Sequence, residues 1–229
     1  MVSVTAPPRR RVLCSIGAAR HAQLLEITLG TFARYSRTHG YALHVEWNDI
    51  GQGRPAAWGK IRLVQSLLQS FDEVLWIDAD AAVVRFDADI SREVPSGVDL
   101  ALARDHHARM DLPNTGVMLW RRTSDSLRLL DAAWEQTHLI DHPYWEQAAL
   151  LELMGYDVRD LHDVQMIAPT VWHRGVHYLG DEWNATFRTA AERPRIIHCA
   201  GLRFEQRVQR LTDAVSAALE TEEEAVPAS

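Results

Sequence analysis

The most informative stretch of the sequence is Val74-Leu75-Trp76-Ile77-Asp78-Ala79-Asp80-Ala81-Ala82-Val83-Val84, where an apolar run meets two carboxylates one residue apart. A short apolar run without polar alternation is typical of a parallel strand that is covered on both faces. In open α/β sheets, ligands bind beyond the carboxyl ends of such strands. The stretch therefore predicts a buried central strand that brings Asp78 and Asp80 to the ligand-binding edge of a sheet.

The two carboxylates have two interpretations. Paired carboxylate oxygens suit a hard divalent cation such as Mg²⁺ or Mn²⁺, which completes its coordination with water and with a substrate's phosphates. Alternatively, Asp78 and Asp80 serve a turn or cap a helix after the strand. The triplet alone does not decide between them, so the rest of the chain must.

The elements before the aspartates alternate in the order βαβαβ. Apolar runs predict strands at residues 12–16 and 42–47, and helical spacing of apolar residues predicts helices over 24–35 and 61–71. Gly40 suits a left-handed cap at the end of the first helix. This order predicts a largely parallel sheet with right-handed crossovers.

The second half of the chain predicts shorter elements. The region from 156 to 195 is rich in aromatic and turn residues and receives no assignment. We predict strands at 100–103, 116–120 and 196–198, a connection at 111–115, and helices over 127–134, 148–154 and 204–221, before a frayed acidic tail at 222–229. We expect a single domain over residues 1–229, with a core of about residues 11–204.

Composition excludes several classes of protein. The 229 residues are 47% hydrophobic and 24% charged, which is typical of a folded chain, and the net charge of -7 argues against broad binding to nucleic acid. No apolar run is long enough to span a bilayer, and residues 1–11 lack the apolar centre of a signal peptide. Cys14 and Cys199 lack CxxC spacing, so we expect reduced core thiols and a cytoplasmic protein. The sequon at Asn184 is then incidental.

Five short motifs occur in an informative order. They are Trp58-Gly59-Lys60, the Asp-x-Asp stretch at 75–81, Asn114-Thr115-Gly116-Val117, Glu146-Gln147-x-Ala149 and His198-Cys199-Ala200-Gly201. Together they resemble the GT-A glycosyltransferases, most closely family 34, whose members transfer galactose, mannose or xylose. The resemblance covers about residues 12–203.

The resemblance implies a fold and a reaction. The implied fold is α/β and GT-A, with a Rossmann-like, mostly parallel central sheet flanked by helices. The implied reaction is the Mn²⁺-dependent (or Mg²⁺-dependent) transfer of a hexose or pentose with retention. The donor would be a nucleotide-diphosphate sugar, a UDP-sugar rather than a GDP-sugar, and the acceptor a carbohydrate or small molecule. The chain lacks the family's amino-terminal membrane anchor, so we expect a soluble, bacterial-type enzyme.

The resemblance also implies roles for individual residues. The implied catalytic residues are Gln147, Glu146 and Asp105. Gln147 would lie near the reacting face of the sugar. Glu146 stands where the family usually has Asp, which leaves open whether its carboxylate reaches the sugar in the same way or acts as the base of an inverting displacement. Asp105, at the end of a strand, would accept a sugar hydroxyl. The implied metal ligands are Asp78, Asp80 and His198, and the implied donor-binding residues are Ser15, Ile16, Lys60, Asp78, Asn114, Gly116, Gly201 and Arg203.

Several of these residues have ordinary structural explanations. His198 alone would suit a satisfied core histidine, and Arg203 and Lys60 would suit solvated charges at helix starts. Trp172, Tyr178 and Trp183, in the aromatic region 172–187, either stack on an acceptor sugar or belong to the core.

Two other functions remain as alternatives. A sugar-phosphate nucleotidylyltransferase shares a related fold, but its glycine-rich first loop is represented here by residues 15–20, which contain the single glycine Gly17. The other alternative is a catalytically silent carbohydrate-binding protein of the same fold. The presence of Asp78, Asp80, Gln147 and His198 argues against it.

Overall fold

The structure is a computed structural model that describes residues 9–107, 110–189 and 191–220. Its strands are β1 (Arg11–Ile16), β2 (Ala42–Glu46), β3 (Glu73–Ile77), β4 (Ala81–Val83), β5 (Leu100–His107), β6 (Met110–Arg121), β7 (Tyr156–Asp157), β8 (Gln165–Met166), β9 (Val176–Tyr178) and β10 (Ile196–His198). Its α-helices are α1 (His21–His39), α2 (Gly59–Leu67), α3 (Ser124–Glu135), α4 (Trp145–Met154) and α5 (Phe204–Glu220).

Within these residues, the main sheet has six strands in the order β2-β1-β3-β6-β5-β9. β1 pairs in parallel with β2 and β3, and β5 pairs in parallel with β9. β6 lies between β3 and β5 and is antiparallel to both. The sheet is therefore mostly parallel, as predicted, and the βαβαβ order of its first half is confirmed.

The stretch at residues 74–84 forms two strands and not one. β3 ends at Ile77, and the chain then turns, since the Ala81 N–H donates to the Asp78 carbonyl at 3.0 Å. β4 leaves the main sheet and pairs antiparallel with β10. The apolar pattern could not show this change of sheet, because β3 and β4 are both fully buried. Its consequence is that Asp78 and Asp80 lie in the turn between two sheets.

The predicted connection at 111–115 is also wrong. Residues 110–121 form one strand, and β5 and β6 pair along their lengths, from Leu100 with Trp120 to His106 with Asp111. Pro113 lies within this strand opposite Arg104, where the register shifts by a bulge. A bulge is one of the few places where a sheet accepts proline.

Helix boundaries follow local capping chemistry. α1 ends at Gly40, whose φ of 70° is left-handed and whose N–H donates to the Ser36 carbonyl, as predicted. α3 begins with a capping box in which Thr123 and Ser126 each bond the other's backbone N–H. The helix predicted over 61–71 is shorter, because α2 ends at Leu67. The predicted C-terminal helix is α5, and the predicted tail at 222–229 lies outside the described residues.

Helices cover both faces of the main sheet. Alternate residues of β3 point to opposite sides, so Val74 and Trp76 join one buried cluster while Leu75 and Ile77 join the other. This burial on both faces explains why the strand shows no polar alternation. Trp183 is fully buried in the second of these clusters, so its interpretation as a core residue is correct. In the described ranges, no helix is both long and apolar enough to cross a membrane.

Candidate active site

Three predicted metal ligands lie together at the edge of the sheet. His198 Nε2 is 3.3 Å from Asp80 Oδ1 and 3.7 Å from Asp78 Oδ2. One ligand atom from each residue lies within 4.8 Å of the others. The pairing of β10 with β4 brings His198 opposite Ala81, and the Cys199 N–H donates to the Asp80 carbonyl at 2.9 Å. Two carboxylates and an imidazole at this spacing fit a divalent cation such as Mn²⁺ or Mg²⁺.

The charges of Asp80 and His198 depend on each other. Burial raises the pKa of Asp80. The His198 imidazole and the Arg207 guanidinium together lower it by more than burial raises it, so its pKa lies well below the usual range. Burial lowers the pKa of His198, whereas the Asp80 carboxylate raises it to a net value above the usual one. Because metal ligation needs the lone pair of a neutral imidazole, a cation at His198 competes with this raised proton affinity.

Arg207 is a site residue that the sequence analysis missed. Its Nη1 lies 3.0 Å from Asp80 Oδ2, and its side chain is 22% exposed. The predicted basic residue, Arg203, is exposed and lies immediately before α5, where its backbone N–H donates to Gln206 Oε1. Arg207 follows Arg203 by four residues, so helical spacing after the Gly201 turn was the signal that could have found it.

Lys60 and Glu146 form a buried ion pair beside Asp78. Lys60 Nζ lies 2.8 Å from Glu146 Oε1, 3.0 Å from Asp78 Oδ1 and 3.0 Å from the Thr115 carbonyl oxygen. Lys60 is 4% exposed, so the alternative of a solvated lysine is wrong. Burial lowers its pKa, but Asp78 and Glu146 raise it to a net value above the usual one. Burial raises the pKa of Glu146, which Lys60 only partly opposes.

Gln147 lies next to Glu146 and contacts the same strand. Its Oε1 accepts the Thr115 N–H at 3.2 Å, and Thr115 Oγ1 lies 3.4 Å away. Trp145, two residues before Gln147, has a left-handed φ of 46° and is 46% exposed. That backbone conformation is unusual for a bulky residue and is found most often where function constrains the chain.

Asn114 and Gly116 contact the site from β6. Asn114 Oδ1 accepts the Gly116 N–H at 2.8 Å and the Asn184 Nδ2 amide at 2.9 Å. The Gly116 carbonyl in turn accepts the Asp78 N–H at 2.8 Å. Asn184 was also missed, because its only sequence signal was a sequon that we regarded as incidental.

The remaining predicted residues lie around this centre. The two carboxylate oxygens of Asp105 accept from Thr186 Oγ1 at 2.9 Å and from Arg188 Nη1 at 3.0 Å. Gly201 has a φ of 75°, and a side chain there would approach the Arg188 guanidinium. Ser15 is buried near the carboxyl end of β1, and its Oγ has no partner among the described residues. Ile16, the last residue of β1, is half-buried.

The chain belongs to the nucleotide-diphospho-sugar transferase family, whose profile matches residues 53–207. That match covers most of the site, from Lys60 to Arg207. Together with the sheet order, it confirms a GT-A fold, while the closer resemblance to family 34 stays a prediction. No curated protein sequence matches the chain.

Solved glycosyltransferase structures share this fold at low sequence identity. One is a glycosyltransferase involved in the glycosylation of the major capsid of PBCV-1, with a TM-score of 0.67 and 15% identity over 88% of this chain and 98% of that chain. The galactosyltransferase LgtC, solved with donor and acceptor sugar analogs, has a TM-score of 0.56 and 15% identity over 90% of this chain and 95% of that one. GlyE of Streptococcus pneumoniae TIGR4 has a TM-score of 0.53 and 15% identity, over 96% of this chain and 66% of its own.

Proposed function

We propose that this protein is a metal-dependent, retaining glycosyltransferase. It transfers a hexose or pentose of the galactose, mannose or xylose class from a nucleotide-diphosphate sugar to the hydroxyl of a carbohydrate or small molecule. The donor is a UDP-sugar rather than a GDP-sugar. The observation that carries the proposal is the cluster of Asp78, Asp80 and His198 in a chain of this family.

The cluster holds the divalent cation. Mn²⁺, or Mg²⁺, supplies a positive charge that stabilises the departing diphosphate when bound. Asp78 and Asp80 contribute hard oxygen ligands, and His198 contributes a nitrogen that favours Mn²⁺ over Mg²⁺. The remaining donor contacts are assigned to Ser15, Ile16, Lys60, Asn114, Gly116, Gly201 and Arg203.

Arg207 joins the proposed donor site because of its position. Its guanidinium is held against Asp80, where a metal-bound diphosphate would lie. A planar guanidinium matches phosphate oxygens in a bidentate geometry. We therefore assign it a role in binding the diphosphate, beside or in place of Arg203.

The contacts of Gln147 support retention. Because Thr115 occupies its side-chain oxygen, the amide presents its N–H groups rather than its oxygen for a further contact. Such an amide stabilises negative charge or a sugar hydroxyl but is a poor nucleophile. Glu146 is 3% exposed and bonded to Lys60, which leaves it poorly placed to activate an acceptor for inversion. Asp105 is assigned as the acceptor of a sugar hydroxyl.

Cys14 and Cys199 are buried free thiols, which supports the expected cytoplasmic location.

The test of the proposed function incubates EDTA-treated protein with UDP-galactose, UDP-xylose, UDP-glucose and GDP-mannose, with and without Mn²⁺, and measures release of the nucleotide. Mn²⁺-dependent UDP release is the expected result. If no donor is hydrolysed or bound under either condition, the proposal is wrong.

A further inference from the structure

The two ring nitrogens of His198 have different neighbours. Nε2 faces Asp80 and Asp78, whereas Nδ1 lies 2.9 Å from Asn184 Oδ1. His198 is 5% exposed and Asn184 is fully buried, so the contact at Nδ1 is shielded from bulk water. The role of Asn184 therefore depends on which of its side-chain atoms faces the ring.

A chain of hydrogen bonds decides that orientation. The Gly116 N–H can only donate, so the Asn114 atom facing it at 2.8 Å must be the carbonyl oxygen. That same oxygen lies 2.9 Å from the Asn184 amide, so Asn184 must present its NH₂ group there. The carbonyl oxygen of Asn184 is then directed at His198, and it can only accept. Nδ1 of His198 must carry the proton.

We propose that Asn184 is a positioning residue for metal binding. It accepts the Nδ1 proton of His198, so that Nε2 is the ring nitrogen whose lone pair is available to a cation between Asp78 and Asp80. The proposal rests on the metal site proposed above. Partners that orient a metal-binding histidine through its other nitrogen commonly fix the tautomer in this way.

Gly116 provides a second, independent constraint on the same ring. A Cβ added at this position would overlap Cε1 and Nδ1 of His198. Gly116 does not have a left-handed φ, so space rather than backbone conformation is what requires glycine here. The imidazole therefore packs directly on the β6 backbone. Asn184 fixes its protonation pattern, and Gly116 fixes its distance from the strand.

The experiment compares Asn184→Leu with the wild type. Leucine has a similar size but cannot accept the Nδ1 proton. The matched control is Asn48→Ala, which removes an exposed asparagine whose amide contacts Glu46. Mn²⁺ binding to the donor-free protein is measured by electron paramagnetic resonance of the unbound ion. We expect about 10- to 100-fold weaker binding for Asn184→Leu, the usual loss when such a partner is removed, and no change for the control.

A spectroscopic measurement distinguishes positioning from a purely structural role. In metal-free wild-type protein, ¹⁵N-edited NMR at pH 6 should show a His198 Nδ1 proton protected from exchange, and Asn184→Leu should lose that protection. A wild-type ring without a protected Nδ1 proton would overturn the proposal, even if the variant fails to fold. So would unchanged Mn²⁺ affinity in a folded Asn184→Leu. If wild-type protein shows the protected proton but binds no Mn²⁺, the metal-binding role is rejected together with the metal site; donor binding, measured separately, still tests the transferase.

Discussion

Arg207 and His198 hold opposite oxygens of the same carboxylate, that of Asp80, with Arg207 Nη1 3.0 Å from Oδ2 and His198 Nε2 3.3 Å from Oδ1. The carboxylate that would attract a cation is thus already in contact with two nitrogen-bearing side chains of the protein. α5 contributes one of them and β10 the other. Metal binding and donor binding should therefore respond differently when Arg207 is changed.

The Arg207→Gln variant tests this difference. Removing the guanidinium frees Asp80, so Mn²⁺ should bind the donor-free protein at least as tightly as before. UDP should bind the Mn²⁺-loaded protein about 10- to 100-fold more weakly, which corresponds to the loss of one hydrogen bond to a charged group. Isothermal titration calorimetry measures both constants. Arg203→Gln is the matched comparison, and a larger loss of UDP affinity there would return the diphosphate role to Arg203.

Asp80→Ala should abolish the protection that UDP and Mn²⁺ together give against thermal unfolding. Ligand at about 100 times its Kd stabilises the folded state by about 2.7 kcal/mol. For a chain of this size that should raise the wild-type Tm by roughly 5–10 °C. Asp213→Asn, an exposed change on α5, should keep the full shift. Full protection of Asp80→Ala would remove Asp80 from the metal site.

Replacing only one partner of the Lys60–Glu146 ion pair should lower the stability of the protein strongly. Lys60→Met leaves the Glu146 carboxylate buried without its cation, and such a loss typically costs about 3–5 kcal/mol. Lys60→Met/Glu146→Gln should recover most of that stability, because the fully buried charge of Glu146 is removed and only the partly exposed Asp78 carboxylate has lost its lysine. Urea unfolding of both variants measures the difference. Equal stability of the two would mean that Glu146 is already neutral in the folded protein.

The free energy of unfolding of Lys60→Met should also depend on pH, in a direction set by Glu146. Burial already raises the pKa of Glu146 in the folded protein, and removal of Lys60 raises it further. Above the ordinary glutamate pKa of about 4.3, the unfolded chain loses its proton more readily than the folded one. The stability deficit of Lys60→Met should therefore grow as the pH rises from about 4 to 8, and shrink in acid. A deficit that does not change with pH would contradict the assigned cause.

The sequence predicted the centre of this fold because the decisive signals were local. The strand at Val74, the left-handed cap at Gly40 and the stripe that forms α5 each depend on residues close together in the chain. The division of the stretch at 74–84 between two sheets was not predictable in this way. It depends on the pairing of Val83 with Ile196, which is separated from it by more than a hundred residues.

The candidate site shows the same division. Asp78, Asp80 and His198 were found because each belongs to a short motif with its own spacing. Asn184 and Arg207 carry no motif, and they matter only because the fold brings an amide to Nδ1 and a guanidinium to Asp80. Glu146 was suspected of reaching a sugar. Its pairing with Lys60 appears only once the fold brings the first turn of α2 close to the first turn of α4 and to Thr115 of β6.

Gln147→Ala should slow transfer more than it weakens donor binding. The N–H groups of the amide are expected to contact a sugar hydroxyl or the departing diphosphate most strongly in the transition state, as negative charge develops on the leaving oxygens. Single contacts of this kind contribute roughly 10- to 1000-fold to turnover. Steady-state kinetics separate kcat from KM for the donor. The control is Gln69→Ala, because the Gln69 side chain is exposed and its amide donates to the Gln65 carbonyl. A change confined to KM would place Gln147 in ground-state binding alone.

The stereochemistry of the product decides between retention and inversion at the anomeric carbon. The side-chain oxygen of Gln147 is bonded to the Thr115 N–H, and Glu146 is bonded to Lys60, so neither presents a free nucleophile or base. An inverting displacement needs a base on the face opposite the leaving diphosphate. If neither residue acts as that base, the departing diphosphate would accept the acceptor's proton, on the same face. Starting from an α-linked donor, we therefore expect an α-linked product, identified by its anomeric coupling in the proton NMR spectrum. A β-linked product would reject retention, and loss of that product in Glu146→Gln would then identify Glu146 as the base.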